Sequence, residues 1–324
     1  TSSRTGVHTS QSLAVDKNYI VAAVVEAGAI TIYRSTTGTT WSVASTLPTT
    51  AITAQAAGDD DDAARLVNIP GVASYLFAWD EGNLTVDTWK STDQCNVWTS
   101  ANADGLSAPN GVHGAGVYYD LNGDAAPYVL IDDGLYAYDT SADTWQQLVS
   151  VPATANTGKA HTVWANPFRG SRTSVYFGFA GQRMIEYTQV NNFGDSFVQV
   201  LDPNFFGALA SDKQGDFWRM VNCNLWLFFT KGGGSASEKA WIGAYDGRAA
   251  TQSPESHDYS EGFHFINQTS TANQRMDYIG LSSSDDNKLR VHIDEKTAAT
   301  TSTPQHILYP LSHPDGPDAI VYDA

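Results

Sequence analysis

Short apolar runs recur along the chain, each leading into a tight turn and then a second run of alternating β-formers. Ile20–Val25 and Ile30–Tyr33 flank Glu26-Ala27-Gly28, and Tyr75–Trp79 and Leu84–Trp89 flank Asp80-Glu81-Gly82-Asn83. Tyr128–Ile131 and Leu135–Tyr138 flank Asp132-Asp133-Gly134, and Val175–Phe179 and Met184–Tyr187 flank Ala180-Gly181-Gln182-Arg183. Leu225–Phe229 and Trp241–Tyr245 enclose a longer Gly-rich excursion from Lys231 to Lys239. Tyr278–Leu281 and Leu289–Ile293 flank Ser284-Asp285-Asp286-Asn287. Each unit reads as a β-hairpin.

The second runs end at Tyr33, Trp89, Tyr138, Tyr187, Tyr245 and Ile293, at intervals of 56, 49, 49, 58 and 48 residues. A hairpin cannot bury its own apolar face, and repetition near about 50 residues is the spacing of stacked blades. The expectation is an all-β fold: one six-bladed β-propeller with four-stranded antiparallel blades across residues 1–324. Approximate blades are 11–50, 51–108, 109–153, 154–208, 209–270 and 271–312, with 313–324 as a closing strand. Ser12–Asp16 and Asp318–Tyr322 are apolar enough to be strands, and are expected to share one blade and close the ring.

Composition narrows the function classes. No run of 18 apolar residues occurs, so membrane insertion is not expected. The opening Thr1-Ser2-Ser3-Arg4 does not read as a signal peptide. The formal charge is −17, carried by 28 Asp and 7 Glu against 8 Lys and 10 Arg. That excess of Asp follows turn abundance, or it is a solubilising surface for salty surroundings. The dispersed basic residues form no stripe for phosphates, so nucleic acid is not an expected partner. Cys95 and Cys223, 128 positions apart, are expected to be unpaired thiols.

Turns after several second strands carry an aromatic residue. Ser91, Asp93 and Trp98 have the spacing Ser-x-Asp-x-x-x-x-Trp, with Cys95 between; Gly38 and Trp41 repeat its last half. Ser211, Gly215 and Trp218 match three of its positions. These stretches resemble the Asp-box turn of sialidase-type propellers, and Tyr138-Asp139 with Trp145 resembles the kelch turn. The resemblance implies a propeller superfamily fold. It implies structural work for Asp93, Trp98, Trp41, Trp145 and Trp218: capping turn N–H groups and packing between blades.

Asp120-Leu121-Asn122-Gly123-Asp124 presents alternating oxygen ligands. Two readings stand, a calcium loop held by Asp120, Asn122 and Asp124, or a plain Asx-rich hairpin turn. No other cofactor is indicated. On a propeller the six hairpin turns emerge on one face, here carrying Glu26, Asp80, Glu81, Asp132, Asp133, Asp285 and Asp286 opposite Arg183 and Lys231. That face is the candidate ligand-binding surface. No Gly-x-Ser-x-Gly, phosphate loop or dinucleotide fingerprint occurs.

The expected function is therefore a non-enzymatic, surface-displayed module of a virion, appendage or extracellular assembly, recognising a glycan or protein partner. Two alternatives remain: a sialidase-like glycoside hydrolase using carboxylates of the hairpin face, and an intracellular protein-interaction propeller.

Overall fold

The computed structural model describes residues 13–26, 29–47, 64–80, 82–101, 105–109, 111–120, 122–131, 133–150, 160–166, 174–179, 183–191, 194–201, 217–223, 226–232, 240–245, 259–260, 263–268, 274–283, 288–297, 302–310 and 320–323. Among them every regular element is a strand. The chain divides into two compact units, 1–154 with 189–195, and 155–188 with 196–324.

In the first unit, β1 (Leu13–Asp16), β2 (Tyr19–Glu26), β3 (Ala29–Ser35) and β4 (Ser42–Leu47) form an antiparallel meander. The second sheet runs β5 (Ala64–Ile69), β6 (Ala73–Asp80), β7 (Thr85–Ser91), and its outer strand is split. Both β8 (Thr99–Ser100) and β9 (Leu106–Ser107) pair with β7. The third sheet is the meander β10 (Gly114–Tyr119), β11 (Ala125–Ile131), β12 (Gly134–Asp139), β13 (Thr144–Ser150).

The sheets of the second unit repeat the plan. One is β14 (Ala160–Asn166), β15 (Ser174–Phe179), β16 (Arg183–Asn191), β17 (Gly194–Leu201). The next has β18 (Phe217–Cys223), β19 (Trp226–Gly232) and β20 (Ala240–Tyr245), with β21 (Tyr259–Ser260) outside β22 (Phe263–Gln268). The last is β23 (Gln274–Ser283), β24 (Lys288–Thr297), β25 (Ser302–Pro310), β26 (Ile320–Asp323). Five of the six hairpins read from the sequence are the second and third strands of their sheets, whereas the sixth, β23–β24, is the first and second strands of the last sheet.

Two expectations need correction. Among the described residues four sheets have four strands, but the second and fifth have five, because β8 and β9 both pair with β7 in one and β21 adds beyond β22 in the other. The terminal strands do not share a sheet: β1 pairs with β2, and β26 pairs with β25 through Leu308↔Ile320 and Gln305↔Asp323. A neighbour close in sequence closes a shorter loop and costs less chain entropy than a partner from the opposite end.

The two faces of a strand alternate with a two-residue period, and the inner strands of the first unit are covered on both. All eight positions of β6 are buried. Leu76 and Ala78 join Val21, Ile30, Ile32 and Leu47 in a core between the first and second sheets. Tyr75, Phe77 and Trp79 join Val129, Ile131 and Tyr138 between the second and third. Each such side chain contributes about 1.5–3 kcal/mol on burial. First strands adjoin: β5 lies against β1 and β10, and in the second unit β18 lies against β14 and β23.

Candidate functional site

The turns after the third strands tie neighbouring sheets together. In the first sheet Ser35 Oγ accepts the N–H groups of Thr37 (3.2 Å) and Gly38 (2.8 Å), and the Trp41 indole N–H donates to Gly38 O at 3.0 Å. In the second sheet Trp98 donates to Cys95 O, also at 3.0 Å. Gly38 and Cys95 occupy equivalent left-handed positions, with φ of 77° and 61°. A side chain at such a position is strained by about 1–2 kcal/mol, and Cys95 is buried there.

That thiol approaches Asp16 Oδ2 at 3.6 Å, while Ser74 Oγ donates to the same oxygen at 2.9 Å and accepts from Asn68 Nδ2 at 2.8 Å. Burial chiefly pushes the Cys95 thiol up to about 12, with Asp16 adding and Ser74 and Arg34 opposing. A protonated, buried thiol is no nucleophile. Cys95 is a free cysteine; the Cys223 side chain lies outside the described residues.

Of the turn residues expected to be structural, Trp98 is buried between the first two sheets and Trp145 packs between the second and third. Trp41 instead is 38% exposed. Asp93 is exposed and accepts the Asn96 amide at 3.4 Å. The Trp218 side chain lies outside the described residues. In the third sheet Asp139 Oδ1 accepts Ser141 N (2.8 Å), Ser141 Oγ (2.7 Å) and Ala142 N (3.0 Å). Those bonds hold the Asp139 carboxyl below its ordinary value. Tyr138 donates its hydroxyl to Asp143, and burial followed by that carboxylate raises its pKa.

The hairpin acids divide. Asp80 does not face solvent: it is buried, its Oδ1 accepts Gly82 N (2.9 Å) and Asn83 N (3.1 Å), and its Oδ2 accepts the Asn83 amide at 2.7 Å. Asp133 is exposed and accepts the Tyr136 hydroxyl at 3.1 Å. Burial, then Asp133, pushes Tyr136 up to about 12. Glu81, Asp132, Asp285 and Asp286 lie outside the described residues, as do the side chains of Glu26, Arg183 and Lys231.

The β10–β11 turn is held by the Asp120 carboxylate and by backbone bonds within the turn. Asp120 Oδ1 accepts Asn122 N at 2.8 Å and Asp124 N at 2.9 Å, and its Oδ2 accepts the Asn122 amide at 3.4 Å. Gly123, at φ 86°, donates to Asp120 O at 3.1 Å. Among the described residues no three His, Cys, Asp or Glu side chains gather as a metal site.

Asp87 escaped the sequence reading. Ala78↔Asp87 and Asp80↔Thr85 are paired, which makes Asp80 and Asp87 diagonal neighbours on one face. Burial, then the Asp80 charge, raises the Asp87 pKa. The only sequence signal was an Asp set two positions beyond Thr85 in an alternating strand.

No family model matches the sequence, and no curated protein matches it significantly. Solved structures do match. The chain is similar to the Dos1 propeller (TM-score 0.53, 10% identity, 96% of this chain and 68% of that one). It is also similar to an ancestral GH74 enzyme (0.55, 12%, 92% and 39%), so it spans well under half of that protein. A third is a lectin from Aleuria aurantia in complex with alpha-methyl-L-fucoside (0.50, 12%, 94% and 90%). The fold is that of a β-propeller. At these identities the likeness extends to the fold alone.

Proposed function

We propose that the chain is a non-enzymatic β-propeller recognition module whose six sheets are the blades of one domain. It binds a glycan or a protein partner and is displayed on a virion, an appendage or an extracellular assembly. The observation that carries the reading is where the turn carboxylates go. Asp80, Asp120 and Asp139 each accept backbone N–H groups of their own turns. They act as turn formers, and a scaffold of self-locked turns is suited to presenting a fixed surface. The lectin and propeller neighbours are compatible with such a module without specifying its ligand. In this reading the Asp120–Asp124 loop needs no calcium.

A second reading, a sialidase-like hydrolase, has one observation in its favour. A carboxyl with a raised pKa beside another carboxylate is an acid/base pattern, and Asp87 with Asp80 has it. A glycan array probed with the full chain, alongside partner capture from whole surface extracts, tests the first reading. It expects a discrete saccharide class or a single protein species to be retained; retention of neither contradicts it.

A further inference from the structure

Antiparallel order puts alternate turns at opposite ends of a sheet. In the first unit one end carries the hairpin turns β2–β3, β6–β7 and β11–β12; the other carries β1–β2, β3–β4, β5–β6, β7–β8, β10–β11 and β12–β13. Contacts between sheets keep like ends together. Ser74 Oγ donates to Asp16 Oδ2 at 2.9 Å, Arg34 Nη1 donates to Gln94 O at 3.1 Å, and the Tyr75 and Tyr138 ring centroids are 6.0 Å apart.

The end away from the hairpin turns exposes apolar side chains. Val72 and Val97 are each 57% exposed, Trp41 38% and Tyr119 37%. At the hairpin end, among the described residues at or beside a turn, Leu84 alone is an exposed large apolar residue. Turns ordinarily carry Gly, Pro, Asn, Asp and Ser, and a valine left exposed in one gains nothing from folding. All four residues stand on fixed chain. Val72 N donates to Ile69 O at 3.0 Å across Pro70-Gly71, with Gly71 at φ 77°. Val97 lies between the buried Trp98 and Asn96, whose N–H donates to Asp93 O at 2.9 Å. The Trp41 indole is tied to Gly38 O, and Tyr119 leads into the turn in which Asp120 N donates to Asp124 O at 3.0 Å. Anchors fixed beforehand lose little freedom on binding.

The same turns expose Asp93, Asp124, Asp139 and Asp143. Arg34 and Lys90 are half-buried beside the Tyr19 and Tyr75 rings, which leaves Lys17 as the exposed cation of these turns among the described residues.

We propose that this end of the first unit is a docking face for a protein partner that presents basic residues around apolar ones. The proposal rests on the recognition reading above, takes its protein branch, and places the contact away from the hairpin turns. Apolar anchors within a charged rim are the make-up of a protein interface. A sugar ring packs on a flat aromatic face, which valine lacks. The anchors also come from three sheets, and sheets pack about 10 Å apart, too wide a spread for one sugar ring. A second copy of the chain would bring acid against acid, at −17 each.

The probe is a short synthetic peptide of alternating lysine and leucine, titrated into the full chain and read by fluorescence anisotropy. Lysine–serine and glutamate–leucine peptides of the same length are the controls. The lysine–leucine peptide is expected to bind tightest, and to weaken as salt screens the acids. Val72→Ser combined with Val97→Ser is expected to weaken it at least about tenfold, with the thermal midpoint unchanged because both side chains are exposed. Asp93→Asn combined with Asp124→Asn is expected to flatten the salt dependence. Leu84→Asn, at the hairpin end and at φ 56°, where Asn is well accommodated, is expected to bind as the wild type does. Binding that the valine pair leaves intact, equal weakening by Leu84→Asn, or no binding of the lysine–leucine peptide overturns the docking face. Equal or tighter binding of either control peptide overturns it too, and an unaltered salt dependence in the aspartate pair overturns the basic character of the partner. In each of these cases the glycan array and the surface extracts still decide the recognition reading separately.

Discussion

Arg34 on β3 donates its Nη1 to the carbonyl oxygen of Gln94 at 3.1 Å, joining the third strand of one sheet to the turn of the next. Its Nη2 reaches Asn96 Oδ1 at 3.3 Å, and its guanidinium stands 4.6 Å from the Tyr19 ring centroid. The sequence places these residues 60 positions apart. Replacing Arg34 with Met keeps the stem and removes the bonds. Urea unfolding should show a loss of about 1–3 kcal/mol. An unchanged midpoint would mean the tie contributes nothing.

Cys95 should be inert in the native protein. Its thiol is buried and held near 12, so almost no thiolate exists at pH 8. Alkylation followed by peptide mass spectrometry should find Cys95 unmodified until urea unfolds the chain. Rapid native labelling at this position would contradict the burial.

Asp87 is predicted to cost stability at neutral pH. Its folded pKa is raised, so the folded state binds the proton more tightly. The protonated carboxyl is fully accommodated below its unfolded value of 3.8, and stability falls as pH rises through the folded pKa. Asp87→Asn should therefore stabilise at pH 7, by under about 1 kcal/mol because water screens a half-buried group. The gain should vanish towards pH 3. A destabilised variant at pH 7 would mean the carboxylate makes a favourable contact.

Asp120 should matter to the β10–β11 turn with or without calcium. Asp120→Ala removes the acceptor of two backbone N–H groups and should cost about 1–2 kcal/mol. The wild-type thermal midpoint should be the same in calcium and in chelator. A midpoint that drops in chelator would favour the metal loop.

Much of the scaffold is legible in the sequence because a strand's two-residue period is local. Tyr75, Phe77 and Trp79 announce one buried face of β6, and Leu76 and Ala78 the other. The Asx character of the Asp120 loop is local too. Asp80 was harder: a turn carboxylate reads as exposed, but Gly82 and Asn83 point their N–H groups at it and draw it inward. The particular partners that meet between sheets were not legible. Trp145 meets Phe77 only through packing, and Arg34 meets Gln94 in the same way. The partner of β26 was likewise a matter of loop entropy that apolar content cannot reveal.

The claim that this propeller recognises rather than processes its ligand has a direct measurement. A saccharide retained on the array is incubated overnight with the purified chain and its length is then read by mass spectrometry. The account predicts that the saccharide is recovered intact. Shortened products that disappear in Asp87→Asn would contradict it and establish the hydrolase.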